Sequence, residues 1–286
     1  MDSLTLKHFA SLWTLVHYPN GGEKGEWSID QKLAAIKAAG FDGFQSSADP
    51  DFAELGIKHG LQFLGACDAN AENYERRIRD FVPLRPARIN VQLGDHAMSP
   101  AEAARIWIAL NHIADDNGLV LDLETHRGTC TETPEKTWQI VEIVVQQTST
   151  PIRLTFDFSH FAVVKHLLPP YAERLLQKPA LLGACRQIHL RPFNGHHCEI
   201  PATNGNGKVA DGAIPWFDFV AAAFEAFLQQ NANNRGTLWA CPEFGAMTSG
   251  YWLPSFPDPW KDAIFVRQET ENLWRQQLSA RKTLPQ

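Results

Sequence analysis

The chain has 286 residues, 44% hydrophobic and 20% charged, and 26 Lys and Arg stand against 32 Asp and Glu for a formal charge of −6. That length suits a single (β/α)8 barrel of about 250 residues, and the acidic balance, with no local Lys/Arg run, excludes a nucleic-acid surface that lives on phosphate contacts. The N-terminal stretch MDSLTLKHFASLW has no basic segment leading into an apolar run, and no 18-residue apolar run occurs elsewhere, so a soluble, cytoplasmic protein without a membrane partner is expected.

Strand-like and helix-like stretches then alternate. Residues 5–13 read as a first strand ending at Trp13. Ser28-Ile-Asp-Gln31 is a capping box that opens a helix with Leu33, Ile36 and Ala39 on one face, closed by Gly40. A second strand (41–47), a short helix (49–60) and a third strand (61–68) follow, then a helix from about Asn70 to Phe81. RINVQLGD (88–95) is a fourth strand with Ile89, Val91 and Leu93 on one face and Asn90 and Gln92 on the other. Ser99-Pro-Ala-Glu102 opens the next helix, which ends at Gly118. After a fifth strand (119–124), Thr133-Pro134 opens a helix in which Trp138, Val141, Val144 and Val145 recur at helical spacing. Strand six (153–157), a helix over 171–183, strand seven (186–191), a helix from Trp216 to Gln230, strand eight (238–243) and a helix from Asp262 to Ala280 complete the series.

Eight βα units in alternation imply a parallel sheet with right-handed crossovers. Chemistry-bearing residues cap several different strands, which favours a closed barrel over an open sheet with one switch point. The expected class is therefore α/β, a single TIM barrel over residues 1–286, with no dinucleotide or Walker A fingerprint. The five cysteines (Cys67, Cys130, Cys185, Cys198, Cys241) are odd in number and form no CxxC pair, which fits reduced thiols. Two irregular stretches, 192–215 and 246–261, follow strands and are expected over the barrel mouth as lids, or as contacts between copies in a homo-oligomer.

Four strands end in a metal-ligating side chain: Glu124, Asp157, His189 and Glu243. With those four inward, Leu121, Leu123, Leu154, Phe156, Ile188, Leu190, Leu238 and Ala240 face the helices. Three carboxylates would repel one another in a low-dielectric pocket unless a cation held them. The mixed O/N set suits one divalent ion of intermediate hardness, Mn²⁺ first, with Mg²⁺, Co²⁺ and Zn²⁺ as alternatives. His160, three after Asp157, either reaches a substrate oxygen or orients Asp157. Arg191 shares the inward parity of His189 and either meets a substrate oxygen or pairs with a ligand carboxylate. His126 stands in the same relation to Glu124. Trp13 forms either an apolar wall against a sugar ring or part of the barrel core. Asp122, deeper on the inward face, is expected in a buried salt bridge, and His196 and His197 are not expected to be ligands.

ETHRGT (124–129), DFSH (157–160), HLR (189–191) and PEFG (242–245), in this order, resemble the xylose isomerase-like TIM-barrel superfamily, in particular the proteins labelled sugar phosphate isomerase/epimerase, with ketose 3-epimerases and inosose dehydratases among them. The resemblance implies a metal held by Glu124, Asp157, His189 and Glu243, with the two glutamates as the acid/base pair and His160 at a substrate oxygen. It implies a small sugar or polyol substrate that undergoes proton transfer beside a carbonyl through a cis-enediolate. The outcome is then isomerisation or epimerisation, or alternatively elimination by a lyase or dehydratase acting on a keto-sugar, keto-inositol or 3-keto-glycoside. Arg191 lies closer to the histidine than the epimerases' substrate arginine does, and Cys130 and Glu132 occupy the neighbourhood of their additional substrate-binding glutamate.

Overall fold

Period-two alternation of apolar and polar residues along the strands closes them into a barrel. The structure, a computed structural model, describes residues 4–232 and 234–282. The strands are β1 (Thr5–Ser11), β2 (Gly43–Ser46), β3 (Gln62–Ala69), β4 (Arg88–Leu93), β5 (Leu121–Thr125), β6 (Leu154–Phe156), β7 (Cys185–His189) and β8 (Thr237–Cys241). Each pairs in parallel with the next, and β8 closes onto β1 with Thr5 opposite Thr237. The helices are α1 (Ile29–Ala38), α2 (Phe52–His59), α3 (Tyr74–Arg79), α4 (Pro100–Asp116), α5 (Pro134–Thr148), α6 (Phe158–Val164), α7 (Ala172–Leu175), α8 (Pro179–Ala184), α9 (Ile214–Gln230) and α10 (Pro259–Lys282). This is the expected (β/α)8 architecture.

The core lies between the strands and the helical ring. Ile89, Val91, Leu121, Leu123, Leu154, Phe156, Ile188, Leu190, Leu238 and Ala240 are all buried there, each large one contributing about 1.5–3 kcal/mol of burial. The barrel interior is polar at its base. Arg88 pairs with Asp122, whose Oδ2 also accepts from Gln187 Nε2 at 2.6 Å, and Gln45 Nε2 donates to Gln187 Oε1 at 3.4 Å. The two glutamine bonds cross between non-adjacent strands, so those side chains point inward, and Asp122 makes the expected salt bridge.

Helix starts follow the sequence signals. The Ser28 hydroxyl accepts the Gln31 N–H at 3.2 Å while Gln31 Oε1 accepts the Ser28 N–H at 2.9 Å, and Ser99 and Thr133 cap α4 and α5.

Four local departures matter. Strand β1 stops at Ser11, and Trp13 sits on a 3-10 turn, Leu12–Leu15, rather than at a strand end. Buried Thr14 fixes that turn, donating to Phe244 O at 2.7 Å and accepting the Phe244 N–H at 3.2 Å. The helix expected from Asn70 begins only at Tyr74, because Asn70 Oδ1 accepts the N–H groups of Glu72 and Asn73 and holds a turn. A short helix, α6, directly follows β6, in a stretch between strand six and the helix over 171–183 where no element was expected. Its residues FSHFAVV carry little helical propensity, and burial of Phe158, Phe161 and Ala162 overrides it. The helix expected over 171–183 breaks into α7 and α8 at Lys178-Pro179, where proline keeps Lys178 out of the helical region (φ −115°, ψ 79°).

Candidate active site

Strand parity brings Glu124, Asp157, His189 and Glu243 together at the C-terminal end of the barrel, with one ligand atom from each within 4.8 Å of every other. His189 Nδ1 lies 3.4 Å from Glu124 Oε1, 3.8 Å from Asp157 Oδ2 and 3.2 Å from Glu243 Oε2. None of these approaches is a hydrogen bond. Both ring nitrogens of His189, and Glu124 Oε1, are buried without a partner. Each such orphan costs about 1–3 kcal/mol, and three carboxylates facing one imidazole add repulsion. A divalent cation at the centre relieves both costs, and the donor set of oxygens plus one imidazole fits it.

The remaining valences are held by neighbours. Asp157 caps α6: its Oδ1 accepts the Ser159 N–H at 3.0 Å, and its Oδ2 pairs with Arg191 Nη2. Asn90 Nδ2 on β4 donates to Glu124 Oε2. Burial opposes ionisation of Asp157, but Arg191, His160 and His189 together outweigh it and hold the carboxyl well below its ordinary value. For His189, burial opposes the charged form, yet Glu243 and Glu124 push its pKa well above the ordinary value. Glu243 is likewise lowered against burial, by His189 and Arg191.

His160 is 0% exposed. It lies beneath His126, ring centroids 3.7 Å apart, with its Nε2 3.1 Å from Arg191 Nη2 and its Nδ1 3.8 Å from Cys198 Sγ. A guanidinium only donates, so His160 Nε2 is the acceptor and the ring proton sits on Nδ1. Burial lowers the His160 pKa well below its ordinary value, so the ring is neutral. His126 Nδ1 lies 2.6 Å from the Arg127 carbonyl and must donate to it, since a carbonyl only accepts. Glu124, His126 and His160 also bring ligand atoms within 4.8 Å of one another, although His160 Nε2 is already engaged by Arg191.

A cavity of about 610 Å³ opens above the cluster, walled by Trp13, Gln45, Asn90, His126, Arg191, Glu243 and Tyr251 among others. Trp13, Arg191 and His126 thus all line this cavity. Glu243 also lines it, whereas Glu124, Asp157, His189 and His160 lie beneath the wall. His196 and His197 are exposed and fold onto Asn194, outside the cluster.

Both irregular stretches reach the mouth and supply residues that the strand pattern does not point to. Tyr251 packs edge-on to Trp13 (5.1 Å) and lies between two guanidinium groups, Arg127 at 5.3 Å and Arg191 at 5.2 Å from its ring centre. Arg127 Nη2 also donates to the Tyr251 hydroxyl at 2.9 Å. A Cβ at Gly245 would collide with the Tyr251 side chain, so the glycine of PEFG lets this loop fold back over the site. Buried Glu199 accepts the Gly245 N–H at 2.7 Å. Arg127 was within sight of the sequence, inside ETHRGT; Tyr251, Cys198 and Glu199 sit in loops without periodicity and carried no such signal.

No family model matches the sequence, and no curated protein does. Among solved structures, an L-ribulose 3-epimerase superposes with a TM-score of 0.65 at 14% identity over 98% of this chain and 97% of that one. A xylose isomerase-like TIM-barrel protein from Mycobacterium smegmatis, in complex with magnesium, gives 0.60 at 16% identity over 96% and 100%. A probable 3-DHS dehydratase from Bacillus anthracis gives 0.58 at 14% identity over 94% and 98%. The chain therefore has the fold of the xylose isomerase-like TIM-barrel proteins, as its motifs led us to expect.

Proposed function

We propose that this protein is a divalent-cation-dependent sugar epimerase or isomerase that moves a proton beside a carbonyl. The observation that carries the reading is the convergence of Glu124, Asp157, His189 and Glu243 with buried, unpartnered atoms at their centre. Those four side chains would hold the ion, Mn²⁺ or Mg²⁺ by donor type. When bound, the ion supplies Lewis-acid polarisation of a carbonyl and an adjacent hydroxyl.

The chain's own residues do the rest. Glu243, at the cavity wall, takes the proton from the carbon next to the carbonyl, and Glu124 serves the opposite face. Arg191 faces the negative charge that develops on the enediolate oxygen, and its Nε is buried with no partner to hold it back. His160, under Arg191 and His126, fixes the direction of both. Trp13 and Tyr251 cover the apolar face of the sugar.

A second reading, a lyase or dehydratase on a keto-sugar, draws support from one feature. Glu243 lines the cavity while Glu124 does not, and elimination needs a base on one face only.

Incubation with ketoses and keto-polyols in D₂O with Mn²⁺, read by NMR, tests both. Deuterium at the carbon beside the carbonyl with an inverted stereocentre supports epimerisation, and loss of water or an aglycone supports the lyase. Exchange that survives in Glu243→Gln would refute the assignment of the base.

A further inference from the structure

The cavity over the cluster does not end at the reacting carbons. Away from Glu243 it runs past Ser47 and Asp49, in the loop after β2, to Arg77 on α3. There it meets a second cavity of about 590 Å³ between that loop and the end of α3, and Ser47, Asp49, Ala66, Cys67 and Arg77 line both. Ligand sites span about 300–1,000 Å³, so either lobe alone has the volume for one sugar ring.

The charges lining the two lobes are balanced. Lys32 is paired with Glu26, Arg79 with Glu75 at 2.9 Å and Arg191 with Asp157, while Asp68 and Asp80 stand close enough to Cys67 to act on its thiol together with Arg77. A phosphate or carboxylate would need a cation in excess, and in the second lobe Arg77 and Arg79 are matched in number by Asp49 and Asp80. What the second lobe does offer is a hydroxyl, a carboxylate and a guanidinium (Ser47, Asp49, Arg77) beside the apolar surface of Pro50, Pro83 and Leu84. A pyranose presents the matching pattern, hydroxyls at its rim and C–H groups on its faces.

We infer that the substrate is a keto-sugar bearing a second, uncharged glycosyl ring, with the keto ring over the carboxylate cluster and the glycosyl ring in the lobe at Ser47, Asp49 and Arg77. This rests on the proposed sugar chemistry for the keto ring alone. The outer ring takes no part in proton transfer; it contributes binding and orientation through Arg77, which its Nε anchors to the Asp68 carbonyl at 2.9 Å.

Calorimetric titration with Mn²⁺ present would compare D-fructose and D-tagatose with their glucosyl derivatives and with ketohexose phosphates. The glucosyl compounds are expected to bind at least about tenfold more tightly than the free ketohexoses. Arg77→Ala, and separately Ser47→Trp, which fills the lobe, should bring that ratio close to one; melting curves confirm folding, and either folded variant suffices. Equal affinities in the wild type, a ratio that survives both substitutions, or tighter binding of the phosphates would overturn the inference. Deuterium exchange on the same samples separates the two proposals. No exchange with any sugar, alongside an intact affinity ratio, refutes the proton-transfer reading and leaves the outer-ring site standing. Exchange with free ketohexoses but no affinity ratio does the reverse.

Discussion

Asn90 on β4 holds Glu124 on β5: its amide nitrogen donates to Glu124 Oε2, while its own Oδ1 is buried without a partner and the residue lines the cavity. The amide thus fixes which carboxylate oxygen is left for a cation. Asn90→Ala removes that hold. Loss of a hydrogen bond behind a metal ligand costs about 10–100-fold in metal affinity or activity. Mn²⁺ titration of the folded variant should show that weakening, and unchanged Mn²⁺ affinity would mean Glu124 is held by something else.

Tyr251 closes the opposite wall, and its hydroxyl and ring are separable. Tyr251→Phe loses only the Arg127 hydrogen bond, an expected cost of about 0.5–1.5 kcal/mol of stability, with the ring still against Trp13. Tyr251→Ala also loses the contacts with Arg127, Arg191 and Trp13, and should raise KM well above the Phe variant. Equal KM for the two variants would show that the ring does not form the substrate wall.

Much of this site could be read along the chain because strand geometry has period two. Counting alternate residues places Glu124, Asp157, His189, Glu243 and Arg191 on one face, and the structure brings them together. His126 and Trp13 also reach the cavity, although Trp13 does so from a 3-10 turn. His160 was harder to place. Its position beneath His126 and Arg191 depends on α6, whose residues do not look helical and fold so through tertiary burial. Tyr251, Cys198 and Glu199 come from loops whose paths are set by long-range contacts, such as the Gly245 N–H to Glu199, that no local pattern encodes.

Cation binding should report on stability as well as turnover. An ion that binds only the folded chain stabilises it by about 2.7 kcal/mol at a concentration 100 times its Kd. Mn²⁺ is expected to raise the melting temperature of the wild type after chelator treatment, and to do so much less for His189→Ala, which removes the imidazole from the cluster. An equal rise in both proteins would place the binding elsewhere.

Glu199, outside the carboxylate cluster, gives a pH signature of its own. Burial pushes its carboxyl from an ordinary 4.5 up to about 7, against the opposing pull of Arg191 and the Gly245 N–H. The folded chain therefore keeps a proton there that the unfolded chain releases. Its contribution to stability is complete below about 4.5 and is lost as pH rises through about 7, a change on the order of 3 kcal/mol. Glu199→Gln preserves an oxygen acceptor for the Gly245 N–H and removes the titration. Urea unfolding of the two proteins, compared across that interval, cancels the pH response of every other group. The glutamine variant should gain steadily on the wild type between about pH 5 and pH 8. Parallel curves would show that Glu199 ionises in the fold as readily as in the open chain, and that Arg191 and the Gly245 N–H are enough to hold its charge.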